Sequence, residues 1–292
     1  MRAYVGITDF DWYSFLASQP GIEEVNFWKP GGKQGFSAVL PGAPFLFKLH
    51  SPHNFVVGGG FFVHFAFLPT SLAWETFGVG NGARSLVEMR ARIEKYRRTG
   101  TSNVDYQIGC ILLGAPYFFA EHEWIPVPHD WEPNIVQGRT YDLLASPGQE
   151  LWEAVQERLE SRLPEMPVDR VSEPNGGYGS PMLVRPRLGQ GGFRVLVTDA
   201  YERRCAMTGE RTLPVLDAAH IIPFASARQH AVPNGLLLRS DLHRLFDKGY
   251  VTVTPDLRVQ VSRRIREEFA NGRDYYALAG KEIRLPAVPD DR

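Results

Sequence analysis

The segment from 162 to 192, RLPEMPVDRVSEPNGGYGSPMLVRPRLGQGG, is rich in proline, glycine and polar residues and has no sustained hydrophobic period. Such a stretch rarely continues a helix or a strand, because proline lacks a backbone donor and glycine loses much entropy on ordering. It predicts a boundary between two folding units, and 292 residues suffice for two cores. We place the first domain at 1–163, the linker at 164–186 and the second domain at 187–292.

Before this boundary, short apolar runs are separated by glycine, proline and asparagine, which is typical of strands joined by turns. The runs are AYVGIT, FSAVL, PFLFKL, FVVGGGFFVHFAFL and QIGCILLG. Two segments, 85–98 and 148–163, have apolar residues at helical spacing, and Ser85 can cap the first. The first domain is therefore predicted to be mostly β with flanking helices, and the whole chain to be α+β.

After the boundary, the pattern predicts a helix at 193–204, a turn, a strand, a short helix and a hairpin. The stretch LDAAHIIPFASARQHAVPNGLLLRSDLHRLFDKGY places histidines, aspartates and an asparagine between apolar runs. Its short helix, SDLHRLFD, has Ser240 or Asp241 available as N-cap. His243 and Asp247 are four residues apart and therefore share one face of that helix.

Charge and cysteine content narrow the class of protein. Residues 185–292 hold 18 Lys and Arg against 13 Asp and Glu, whereas residues 1–184 hold 14 against 20. A basic second half suits a polyanionic partner, although ordinary surface charge is an alternative. Cys110 and Cys205 lie far apart without a CxxC motif, and no apolar run is long enough for a membrane span. We expect a cytoplasmic bacterial protein without a disulfide framework.

Three pieces of the polar stretch, AAHIIP, NGLLL and DLHRLFD, resemble the HNH nuclease motif of the ββα-metal fold. Asn234 follows His220 by 14 residues and His243 follows it by 23, the spacing of that motif. The resemblance covers about 187–262. It implies that His220 is the general base that activates water, that Asn234 holds the connecting loop, and that His243 is a ligand of a divalent metal ion.

The chain departs from many relatives at Ala219, where they have a metal-binding aspartate. Asp217 is a candidate for the missing carboxylate and Asp247 for a further one, although a capping or structural hydrogen bond is an equal alternative for both. Mg²⁺, Mn²⁺ and Ni²⁺ are all compatible with a His/Asp site. Side chains that could contact DNA phosphates, or simply form a solvated helix face, are Arg187, Gln190, Arg194 and Arg203.

The run NFWKPGGKQGFSAVLPGAPFLFKLHSPHNFVVGGGFFVHF resembles the EVE and PUA-like β-barrels, which are related to the SRA fold. That resemblance implies a domain that flips a modified cytosine into an aromatic pocket, where the base stacks and its edge is hydrogen-bonded. For any single tryptophan, filling the barrel core is the alternative. The candidates for this pocket are Asp9, Trp12, Asn26, Trp28, Trp74, Asn81 and Trp124.

A base reader joined to an HNH unit resembles the modification-dependent (type IV) restriction endonucleases that act on phage DNA. We expect the partner to be double-stranded DNA carrying 5-methyl-, 5-hydroxymethyl- or glucosylated 5-hydroxymethylcytosine. Cutting both strands needs two nuclease units, so we expect a homodimer. The chain has no P-loop motif, so we expect no ATP requirement. Two alternatives stay open: sensing of another modification or a signalling nucleotide, and a DNA-binding protein whose nuclease domain is inactive.

Overall fold

A computed structural model describes residues 1–31, 34–97, 105–161, 189–223 and 231–287. The chain divides into two compact units, Met1–Arg187 and Leu188–Arg292. The predicted linker at 164–186 lies outside the described residues. No helix in the described ranges is long and apolar enough to cross a membrane.

The N-terminal unit is built on one mixed sheet with the strand order β2-β5-β4-β3-β1-β7, and β6 pairs with β4. Only the β1–β3 pairing is parallel among the described strands. The strands are β1 (Arg2–Thr8), β2 (Glu24–Lys29), β3 (Pro44–Leu49), β4 (Phe55–Pro69), β5 (Gln107–Phe118), β6 (Ile125–Pro126) and β7 (Gly138–Asp142). The helices are α1 (Phe10–Ala17), α2 (Thr70–Phe77), α3 (Leu86–Glu94) and α4 (Gly148–Glu160).

Strand β3 lies at the centre of this unit, and all six of its residues are buried. Phe45 and Phe47 pack with Trp12 in one core cluster, while Leu46 packs with Trp152 in a second. Alternate residues of β3 therefore serve two different cores, as the period of a strand requires. The α+β class is confirmed. Between the described strands, the ladder does not close into the expected barrel, because β2 and β7 are end strands that do not pair with each other.

Two local predictions for the N-terminal unit have different outcomes. The side chain of Ser85 accepts a hydrogen bond from the backbone N–H of Glu88 at 3.2 Å, so it caps α3 as predicted. The apolar run 36–40 was predicted as a strand, and this was wrong. The chain turns directly after it at Gly42, whose φ is +86°, and Phe36 packs on the core from a loop.

In its described residues, the C-terminal unit is a ββα arrangement preceded by one helix and followed by a hairpin and two short helices. Strands β8 and β9 are antiparallel, and α6 begins directly after β9. The elements are α5 (Gln190–Ala200), β8 (Leu216–His220), β9 (Gly235–Arg239), α6 (Ser240–Asp247), β10 (Val251–Val253), β11 (Val259–Val261), α7 (Arg264–Phe269) and α8 (Arg273–Tyr276).

The start of α6 differs from the prediction that Ser240 or Asp241 caps it. The N-cap position is Arg239, because the strand continues to that residue and the helix begins at once. Asp241 instead accepts two hydrogen bonds from Arg239, at 2.6 and 2.8 Å, and one from the hydroxyl of Tyr275 at 3.2 Å. Arg239 lowers the pKa of Asp241, so this carboxylate ties α6 to the chain before and after it.

The segment after the hairpin closes the core of this unit. Val259 and Ile283 are buried in the same cluster as the strands β8 and β9. The backbone N–H of Arg284 donates to the carbonyl of Ala206 at 2.8 Å. That bond joins the segment after α8 to the segment before β8. The core of this unit is therefore formed by residues that precede and residues that follow the ββα arrangement.

Candidate functional site

The three predicted metal ligands lie on two neighbouring elements: His243 and Asp247 on α6, and Asp217 on β8. His243, on α6, has Nδ1 3.6 Å from an Asp217 oxygen of β8 and Nε2 3.4 Å from an Asp247 oxygen. The other Asp217 oxygen lies 4.0 Å from an Arg194 nitrogen of α5. All four side chains are partly exposed, so a solvent-borne ion or phosphate can reach them.

The chemistry of this donor set fits a divalent cation. The two carboxylates suit Mg²⁺ or Mn²⁺ and the imidazole suits Ni²⁺, and the N–O separations at His243 are longer than a strong hydrogen bond. Within the described residues, no three His, Cys, Asp or Glu side chains are close enough to hold an ion by themselves. Mg²⁺ typically keeps water ligands and shares substrate phosphates, so an incomplete protein cage is compatible with it.

Ala219 stands where many HNH relatives have a metal-binding aspartate, and in this chain the position is an interior one. Its side chain is fully buried in the core of the C-terminal unit. A carboxylate there would lose its hydration without a partner at the surface, which is costly. Asp217 is instead partly exposed and lies against His243, so the chain has one available carboxylate on β8 and it is Asp217.

His220 ends β8 and is held by stacking. Its ring lies on that of Phe193 in α5, with centroids 4.1 Å apart and planes at 9°. Its backbone pairs with Gly235 across the β8–β9 ladder. A Cβ at Gly235 would lie 2.4 Å from a methyl carbon of Val197 and 3.2 Å from the Phe193 ring, so only glycine lets α5 approach this closely.

Asn234 braces the loop that leaves β8. Its side-chain oxygen accepts from the N–H of Ile222 at 2.7 Å, and its amide nitrogen donates to the carbonyl of Ile222 at 2.9 Å. Its own carbonyl accepts from the N–H of Ile221 at 2.9 Å. Three hydrogen bonds therefore fix the two residues that follow His220. Both side-chain bonds of Asn234 are made to backbone groups.

The four candidates for phosphate contacts have separate positions. Gln190 is exposed at the first turn of α5, and Arg194 lies beside Asp217 as described above. Arg203 pairs with Asp199 at 3.3 Å, four residues earlier in the chain. Arg187 lies outside the described residues. Arg194 is thus the candidate that the structure brings to the acidic and imidazole groups.

A comparison with known families bears on the C-terminal unit. Residues 205–254 match the family described as HNH endonuclease. This segment is an HNH endonuclease domain. The match supports a nuclease activity for this part of the chain, and a divalent metal ion is usual in this family.

Other comparisons are distant. Two crystal structures from Zymomonas mobilis, an ASCH protein and a single-substitution mutant of it, are each 10% identical to this chain with a TM-score of 0.35. The first alignment covers 53% of this chain and 94% of the ASCH chain, and the second covers 52% and 96%. No curated protein matches the chain in sequence.

Three candidates for the base pocket are interior residues of the N-terminal unit. Trp12 is 2% exposed and its ring packs edge-on against Phe27 and Phe47. Asn26 and Asn81 are fully buried, and the Asn26 amide donates to the Asn81 oxygen at 2.9 Å. These three side chains offer no open face on which a base could stack.

Asp9 and Trp28 belong to a partly exposed cluster that also contains two residues we did not predict, His50 and Tyr96. Tyr96 donates to the Asp9 carboxylate at 2.5 Å, and its ring centroid is 6.5 Å from that of Trp28. His50 lies parallel to Tyr96, with ring centroids 6.2 Å apart, and 3.8 Å from Asp9. We call Asp9, Trp28, His50 and Tyr96 the polar–aromatic cluster.

Trp124 belongs to a neighbouring set of rings. Phe10 is 45% exposed and stacks on His53 with centroids 5.3 Å apart, and Trp124 meets both rings edge-on. Because Phe10 directly follows Asp9, this set adjoins the polar–aromatic cluster. Trp74 is half-buried on α2, and no ring contact between described residues joins it to the other candidates.

The residues that the sequence did not reveal have weak local signals. His50 and His53 flank Ser51 and Pro52 in HSPHN, which is only a polar turn by composition. Phe193 is one apolar residue in a helical pattern, and its contact with His220 spans 27 positions of the chain. Gly235, in NGLLL, gave the clearest hint, because a glycine that opens a buried strand often marks a close backbone approach.

Proposed function

We propose that this protein is a DNA endonuclease whose cutting depends on a modified cytosine, read by the N-terminal unit. The observation that carries the proposal is the polar–aromatic cluster in the same chain as an HNH endonuclease domain. An HNH domain alone makes few base contacts, so a partner domain has to select the target. Partly exposed rings next to a carboxylate are the chemistry that a flipped base requires.

In the cutting step, the unprotonated imidazole of His220 takes the proton of the attacking water. Stacking on Phe193 holds the ring, pairing with Gly235 holds the backbone of His220, and Asn234 holds the chain that follows. Asp217 and His243 would hold the divalent cation, with Asp247 beside them. A bound cation would neutralise charge that develops on the phosphate and the leaving oxygen. Arg194 is placed to add a second positive charge there.

In the reading step, the aromatic rings of Trp28 and Tyr96 would supply a stacking surface. Asp9 would accept a hydrogen bond from the N4 amino group, the donor that distinguishes cytosine. In the free protein, that carboxylate accepts from Tyr96, so a flipped base would replace an existing partner rather than meet a bare charge. The ring set around Trp124 would contact the group on C5 or the neighbouring nucleotides.

We further propose that the target is double-stranded DNA and that two copies of the chain act together, because each HNH site cuts one strand. The role that fits this activity is defence of a bacterial cell against phage DNA with modified cytosines. Arg187, Gln190 and Arg203 remain proposed contacts to the DNA backbone.

The test is a cleavage panel with the purified protein and Mg²⁺, Mn²⁺ or Ni²⁺. Matched duplexes carry cytosine, 5-methylcytosine, 5-hydroxymethylcytosine or its glucosylated form. We expect cutting of one or more modified duplexes and little cutting of the plain one. Equal cutting of all four duplexes would refute the proposal that the N-terminal unit reads a modified base, while still showing that the protein is a nuclease.

Two variants separate reading from cutting. Trp28→Ala should abolish the preference for modified DNA, whereas Trp74→Ala, the matched loss of a tryptophan outside the cluster, should preserve it. His220→Ala should lose cutting by a factor of about 10² to 10⁴, the usual share of a general base, and still bind modified DNA. Wild-type cleavage by His220→Ala would refute the assignment of the base.

A further inference from the structure

α5 lies outside the segment that matches the HNH family, yet it touches two of the proposed catalytic groups. The match spans 205–254 and the helix spans Gln190–Ala200. Phe193 stacks on His220, and the next residue, Arg194, lies 4.0 Å from Asp217. The helix therefore does more than cover the core of the C-terminal unit.

The stack constrains the ring of His220 in a way that its backbone does not. Pairing with Gly235 and the bracing by Asn234 fix the chain on either side of His220. Neither contact fixes the side-chain torsions that turn the imidazole plane. A ring 4.1 Å away and inclined by only 9° does so, because tilting the imidazole would lose the stacking contact.

Phe193 is itself held firmly enough to act as a template. It is 1% exposed and belongs to the core cluster of the C-terminal unit. The missing side chain of Gly235 leaves the space into which its ring and Val197 pack, since a Cβ there would lie 3.2 Å from the ring. A buried ring in a close-packed core has one position, so it can define the plane of a partner ring.

We propose that Phe193 is a positioning residue for the cleavage reaction: it fixes the plane of the His220 imidazole so that the ring nitrogen meets the attacking water. The proposal rests on the proposed role of His220 as general base. A misplacement of about 1 Å can lower a rate by about 10²-fold, so a loose ring would cut slowly without losing its basicity.

The decisive measurement is single-turnover cleavage at saturating enzyme by the full chain, using the duplex of the panel that the wild type cuts fastest. Phe193→Leu keeps the apolar bulk and removes the flat ring. We expect its rate to fall about 10- to 100-fold while DNA affinity stays within about twofold. Val259→Ala, which removes buried methyl groups from the same core on a strand of the β10–β11 hairpin, is the control for lost stability.

A double-mutant cycle distinguishes positioning from general damage. In the His220→Ala background, Phe193→Leu should lower the residual rate by less than about twofold, because there is no ring left to position. A Phe193→Leu rate within twofold of the Val259→Ala control would overturn the proposal. So would equal effects of Phe193→Leu in both backgrounds, and wild-type cutting by His220→Ala would remove the proposal together with the base assignment.

A spectroscopic readout tests the geometry even if a variant cuts poorly for another reason. In carbon–proton NMR spectra of histidine-labelled protein, the ring protons of His220 should be shifted upfield by the Phe193 ring current. His220→Ala assigns the signal, and Phe193→Leu should move it towards the value of a free histidine. An unshifted signal in the wild type would overturn the proposal.

Discussion

Replacing Gly235 by alanine tests the close approach of α5 to the β8–β9 hairpin. The new Cβ would lie 2.4 Å from a Val197 methyl carbon, 3.1 Å from the Val232 carbonyl oxygen and 3.2 Å from the Phe193 ring. Contact distances of this kind require a shift of the helix or the strand. Overpacking of a core costs about 1–3 kcal/mol, so we expect Gly235→Ala to destabilise the C-terminal unit by that amount.

The Val197 methyl group is the nearest obstacle, which gives the prediction a second step. Val197→Ala alone should also destabilise the unit, because it removes buried methyl groups. In the double variant, the alanine at 235 fills part of that space. The combined loss of stability should therefore be smaller than the two single losses together by at least about 1 kcal/mol.

The chain has a convenient pair of probes for this experiment. All six tryptophans lie between residues 12 and 152, so tryptophan fluorescence reports only on the N-terminal unit. Far-ultraviolet circular dichroism reports on both units. In urea titrations of the full chain, Gly235→Ala should lower the midpoint of the C-terminal transition, which circular dichroism detects. The N-terminal transition detected by fluorescence should not change. Unchanged stability of Gly235→Ala, or additive losses in the double variant, would refute the packing argument.

Three further predictions concern other contacts. Arg239 lowers the pKa of Asp241 below its unfolded value of about 3.9. The Arg239–Asp241 contact therefore stabilises the fold above that pH, and this stabilisation is lost as the pH falls through the folded pKa of Asp241. Asp241→Asn should make the urea midpoint of the C-terminal unit fall less steeply with acid than in the wild type, and an equally steep fall would contradict the assignment. Burial raises the pKa of the Cys110 thiol to about 12, so iodoacetamide should label it at pH 8 only in unfolded protein. Lys48 is buried and donates a hydrogen bond to Asn54 at 2.7 Å. Because burying a charge is costly, Lys48→Met should leave the N-terminal unit, followed by fluorescence, at least as stable. The same variant should bind modified DNA more weakly, because the turn that carries His50 loses its hydrogen bond to Lys48.

The ββα arrangement could be predicted because its signals are local. Asn234 and His243 follow His220 at the spacing of the HNH motif, and it was this resemblance that implied the ββα fold, whereas the hydrophobic pattern predicted only the strand ending near His220 and the short helix. The pairing of Asp217 with His243 was also within reach, because a strand residue and a residue one turn into the following helix are neighbours in that arrangement.

The remaining features depend on long-range packing, which a single sequence does not display. Trp12 and Trp28 look alike in sequence, yet the first is in the core and the second is partly exposed beside Tyr96. Tyr96 lies in the segment 85–98 that we predicted as a helix, and nothing in that pattern indicated that its hydroxyl reaches Asp9, 87 positions earlier. The contact of Phe193 with His220 depends in the same way on how α5 returns to the hairpin.

The segment that follows β10 has a practical consequence for anyone who wishes to transplant this endonuclease onto another DNA-binding protein. The family match ends at 254, but Val259 and Ile283 fill the core, and Tyr275 reaches back to Asp241 at the start of α6. A cassette trimmed to the match would expose apolar surface and remove the hydrogen bond from Tyr275 that holds the start of α6. A transferable module should instead follow the compact unit Leu188–Arg292, which includes both α5 and the closing segment.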